Sequence, residues 1–140
     1  MGFTEIHPLV IHFPIALFSV GFLCDALGFV FQKKSLEHAG WWNLIFGVFS
    51  SICALVTGLI ADSGSSPRLI DEPFPLHENH AYLQILVVCV FLLLMVCRVK
   101  LRQSIPLDSK TSLIYLCVLG ITVGVLFYGS HLGAVLSGRI

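Results

Sequence analysis

The sequence predicts an all-α integral membrane protein, a four-helix bundle running up-down-up-down. Three observations predict it. Of the 140 residues 56% are hydrophobic and only 11% are charged, less than half the share of roughly 25% found in soluble domains. The apolar residues gather into four runs, each near the ~20 residues that cross a bilayer as a helix. Basic residues concentrate in two of the three connections, the asymmetry that orients membrane helices. Backbone in lipid must satisfy its own hydrogen bonds, and these runs lack the alternation of barrel strands, so helices are the remaining solution.

The first run covers about 8–31. Its start, MGFTEIHP, holds Glu5 and no Lys or Arg, unlike the positive leader of a secretory signal. The run also exceeds an h-region in length, so it reads as a retained span. The second run, 41–61, opens on Trp41 and Trp42, which suit an interfacial aromatic belt. The third covers 80–97 and the fourth 112–136, and short connections predict that 1–140 form one antiparallel bundle. The connection QKKSLEH (32–38) is basic, DSGSSPRLIDEPFPLHEN (62–79) is rich in Pro, Ser and acid, and RVKLRQSIPLDSK (98–110) is basic again. Lys33, Lys34, Arg98, Lys100, Arg102 and Lys110 thus mark one side, against Arg68 and Arg139 on the other. Six against two places the first and third connections in the cytoplasm. Both termini are expected on the outer, periplasmic side of a bacterial inner membrane. A net charge of zero without a basic tract argues against nucleic acid as a partner.

On this topology five of the six histidines, His7, His12, His77, His80 and His131, come to the outer side, and only His38 lies opposite. Ionisable residues within spans are functional candidates by default. His12, about four residues into the first span, lies roughly 6 Å along its axis at ~1.5 Å per residue. It is expected to face the bundle interior at the depth of His80 and His131. Pro8 suits a first helical position and leaves His7 as a residue at the helix mouth. Pro14 is expected to free the carbonyl of Val10 and so to set the angle of His12. Gly129 and Gly133 flank His131 in GSHLG and, at GxxxG spacing, allow close approach by a helix or a flat ligand.

Two acids bear on the spans. Asp62 closes the second run on the histidine side, where it is a candidate to orient an imidazole by accepting its second N–H. Asp25 lies ~20 Å from His12 along the helix, too far to serve the histidines. A hydrogen-bond or loop-lysine partner near Lys33 is expected for it. The five cysteines, Cys24, Cys53, Cys89, Cys97 and Cys117, all fall in apolar runs and form no CxxC pair, so they read as small buried residues.

HPLVIHFPIAL opens the first span, GLIAD closes the second, HAYL opens the third and GSHLGAVLSG closes the fourth. Together these motifs resemble those of the DUF2231 family of small four-span membrane proteins, and the resemblance covers essentially the whole chain. It implies His7, His12, His80 and His131 as the family's histidines and suggests that they bind haem b; His38 and His77 do not match. Ala134 stands where the family's closing motif usually carries a second glycine, and Ser137 near an aromatic position, so a ligand there would be held differently.

These readings lead to three function classes. The first is an electron-transfer subunit with haem b near the periplasmic face, exchanging electrons with a cytochrome or the quinone pool. Axial imidazoles come from facing helices in such bundles, so His12 and His80 are the first axial pair and His131 the competing ligand. The second is a copper or zinc site on His12, His80 and His131. The third is a structural or assembly subunit, in contact with lipid and with a redox partner protein or a second copy of itself. No serine or cysteine nucleophile stands with a histidine and an acid on the outer side, so a hydrolase is not supported.

Overall fold

A computed structural model of the protein describes residues 10–62, 80–100 and 109–136. They form α1 (His12–Phe31), α2 (Lys34–Asp62), α3 (His80–Lys100) and α4 (Ser109–Leu136), with no strand among the described residues. All four helices are long and apolar enough to cross a membrane. Their limits differ from those of the apolar runs in an instructive way. α2 begins at Lys34 rather than Trp41, and α3 continues to Lys100 rather than Cys97. A helix does not stop where its residues cease to be apolar, since polar end turns can continue through the headgroup region beyond the hydrocarbon core.

α1 starts later than its apolar run, at His12, with Ile11 as the N-cap residue. Pro14 therefore falls in the first turn, where backbone N–H groups have no partner within the helix in any case. Val10 is itself helical and Ile11 forms a turn directly before α1, so the helical path is interrupted where Pro14 has no N–H to offer the Val10 carbonyl. His7 and Pro8 lie outside the described residues.

Only Gln32 and Lys33 separate α1 from α2. Gln32 takes the left-handed conformation, φ 53° and ψ 38°, and its N–H donates to the Gly28 carbonyl. The Lys33 N–H donates to the same carbonyl at 3.1 Å. Glycine usually fills this cap position; here the Gln32 side chain contributes by donating from Nε2 to the Phe29 carbonyl at 2.5 Å. The Lys33 carbonyl then accepts from Leu36 and Glu37, which opens α2. A turn this short makes α1 and α2 antiparallel neighbours.

α1 packs on α2 and α4, and α3 on α2 and α4, so α1 and α3 face each other across a diagonal. The centre of that diagonal is filled by Phe18 of α1 and Phe91 of α3. Their rings stack at a centroid distance of 3.5 Å and an interplanar angle of 5°, and both are fully buried. Gly47 of α2 makes room for this stack, since a Cβ there would stand 2.6 Å from the Phe18 ring. Leu44, Val48, Val87, Leu119, Val123 and Leu126 complete the core. The outside is apolar as well, with Phe49, Leu93, Ile114 and Ile121 each more than half exposed. In water such a surface would drive association; in lipid it is the expected exterior. Between helices in lipid the attraction comes from close packing and polar contacts rather than from a hydrophobic difference, which gives the stacked rings and the buried polar groups their weight.

Candidate functional site

The bundle has two chemically different ends. Asp25, late in α1, meets Arg98, late in α3, and Tyr115, early in α4, while Gly28 of α1 approaches Glu37, early in α2. The start of α1, the end of α2, the start of α3 and the end of α4 therefore share the opposite end. That end carries His12, Asp62, His80 and His131, as the topology predicts.

At closer range the histidine end differs from expectation. His12 is exposed and lies about 180° around α1 from the buried Gly21, at ~100° per residue. His131 is likewise exposed and stands about 180° around α4 from the buried Thr122. Both imidazoles thus leave the outer surface of the bundle rather than entering its interior, which corrects the inward orientation expected of His12. Among the described residues no three His, Cys, Asp or Glu side chains gather as a metal site. His80 and Asp62 are placed only by their positions at helix ends, their side chains lying outside the described residues, as do His7 and His77. Gly129 is buried against α3, where a Cβ would stand 3.0 Å from Nε2 of Gln84. That same nitrogen donates to Ser130 Oγ at 3.4 Å. The space that Gly129 opens is thus occupied by an α3 side chain, while Gly133 stays partly exposed.

The other end holds a buried polar cluster. Arg98 and Asp25 are 0% and 1% exposed and pair at 2.6 Å between Nη1 and Oδ2. Tyr115 donates its hydroxyl hydrogen to the same Oδ2 at 3.0 Å and lies 3.3 Å from Nη1. Nη2 donates to the Glu37 carbonyl of α2 at 2.8 Å. The guanidinium carbon lies 5.6 Å from the Trp41 ring centre and 5.8 Å from that of Tyr115, distances at which aromatic faces attract a cation. Gly40 completes the enclosure: a Cβ at this position would overlap the Asp25 carboxylate, lying 2.6 Å from Cγ. The carboxylate's other oxygen, Oδ1, is buried and has no hydrogen-bond partner among the described residues. The adjoining space, lined by Phe18, Gly21, Phe22, Gly40 and Leu119, is too small for water.

Asp25 is thus paired with a helical arginine, not with a lysine of the first connection. Sequence alone does not single out Arg98, because it directly follows an apolar run and hydropathy places it with the loop. The signal that could have found it is Asp25 itself, since an acid inside a span requires a counter-charge at its own depth.

These features define an integral membrane four-helix protein with one end charged and closed and the other carrying histidines. The chain belongs to the DUF2231 family of predicted membrane proteins, which it matches over residues 4–140. No curated protein and no solved structure matches it.

Proposed function

We propose that the protein is a membrane-embedded redox subunit that holds an imidazole-ligated cofactor, haem b in the first instance, at its histidine end. The observation that carries this reading is the arrival of His12, His80 and His131, from three separate helices, at one end of the bundle. Lys33 in the α1–α2 turn and Lys34 at the start of α2 are exposed, with Lys100 and Lys110 exposed at the same end of α3 and α4. By the positive-inside rule these lysines face the cytoplasm of a bacterial cell. The histidine end is then periplasmic, where a cytochrome or quinone partner can reach it.

The packing limits where a porphyrin fits. The Phe18–Phe91 stack closes the middle of the bundle, and Gln84 fills the space beside Gly129. This packing argues against a haem between the helices; a haem at the histidine end would be held by the exposed His12 and His131, joined by His80 or His7. Bound there, haem b would supply one-electron transfer tuned by its axial imidazoles. A bare copper or zinc ion is the second reading. An ion needs no planar cavity, but it needs three or four donors, and among the described residues no three such side chains gather, so His80 or His7 would have to complete the set.

The test is the optical spectrum of the purified protein. A Soret band that shifts on dithionite reduction is expected, and it should be lost in the His12→Ala/His131→Ala variant. Stoichiometric copper or zinc without iron would replace the first reading with the second. A protein with neither iron nor another metal, and no Soret band after haem is added, would refute both.

A further inference from the structure

We infer that the Asp25–Arg98–Tyr115 cluster is the docking lock of the bundle, the contact that selects how the α3–α4 pair seats on the α1–α2 hairpin. The two halves are joined in sequence only through residues 63–79, long enough to permit several registers. Apart from the Phe18–Phe91 stack and the polar cluster, the core between them is built of apolar side chains. The helices are apolar on the outside as well as inside, with Phe46, Phe49, Leu93, Ile114 and Phe127 exposed, so a rotated or shifted α3 would still present apolar side chains to its neighbours. Hydrophobic pattern alone therefore does not choose one arrangement.

Arg98 does choose. Its guanidinium is engaged by groups from all three other helices: the Asp25 carboxylate of α1, the Glu37 carbonyl of α2 and the Tyr115 hydroxyl of α4. A slide of α3 by one turn, ~5.4 Å, or a rotation by one residue, ~100°, would break these bonds together. Either would leave a cation and an acid unpaired in the membrane, a state far less favourable than a lost apolar contact. The diagonal placement matters too. Asp25 and Arg98 sit on the two helices farthest apart, so the pair forms only when α2 and α4 flank them at the observed spacing. Gly40 sets that spacing, because any side chain there would overlap the carboxylate. The role is one of selecting an arrangement, which a buried ion pair can serve even where it adds little net stability.

The lock predicts coupling between the two charges. In full-length protein purified in detergent, Asp25→Asn and Arg98→Met are each expected to lower the unfolding midpoint by on the order of 10 °C or to abolish folded yield. The combined variant, which leaves no buried charge, should recover most of the midpoint or the yield. It should also lose uniqueness: cysteine pairs placed across the Phe18–Phe91 level should cross-link in one register in the wild type and in several in the combined variant. Single variants as stable as wild type would overturn the inference. So would a combined variant whose loss is the sum of the two single losses, one that fails to fold like them, or one that keeps a single cross-linking register.

Discussion

Gly40 of α2 and Gly124 of α4 are the same residue type in one membrane protein, yet they do opposite work. A methyl group at position 40 would overlap the Asp25 carboxylate, whereas at position 124 it would meet no atom within 4 Å. Gly40→Ala should therefore destabilise the protein by about 2 kcal/mol through overpacking. Gly124→Ala should be neutral or stabilising by up to about 1 kcal/mol, because alanine favours the helix. Denaturation in a common detergent checks both, and equal effects would contradict the distinction. The histidines show the same dependence on direction. His12 and His131 were legible as residues of one bundle end because topology alone fixes their depth. Their outward orientation was not legible, since helices that are apolar all round carry no stripe from which a buried face can be read.

At the scale of elements, the bundle is held by contacts across its diagonal as well as between neighbours. Phe18 and Phe91 each lose a full ring of contacts if truncated, and Phe18→Ala or Phe91→Ala should each cost about 3–5 kcal/mol. Because each ring packs on the other, the double variant should cost less than the sum of the two. An additive result would show that the rings do not act as a pair. The existence of four helices was plain from four apolar runs, but their ends were not. Arg98 follows Cys97 directly, so a hydropathy reading assigned it to a loop, whereas α3 carries it into the core on its last turn. Hydropathy records the average polarity of a stretch. Whether one guanidinium meets a carboxylate 73 positions earlier in the chain is decided by packing.

For the whole molecule, one end is tied through buried charge and the other carries exposed imidazoles, and the proposed orientation puts the lysine-bearing end in the cytoplasm. A membrane-impermeant amine reagent should label Lys33 and Lys34 only after the cell is opened, together with Lys100 and Lys110. Labelling of intact cells at these positions would reverse the orientation and move the histidine end to the cytoplasm. The buried pair also has a consequence in time. Asp25 enters the membrane with the first helix, and its partner lies 73 residues later. At ~5–20 residues per second of synthesis, the acid waits roughly 4–15 s before Arg98 has been made. During that interval the first hairpin holds a carboxyl group with no counter-ion, within reach of the insertion machinery and of other unfinished chains. The interval ends only when the third helix, with Arg98 on its last turn, has been made.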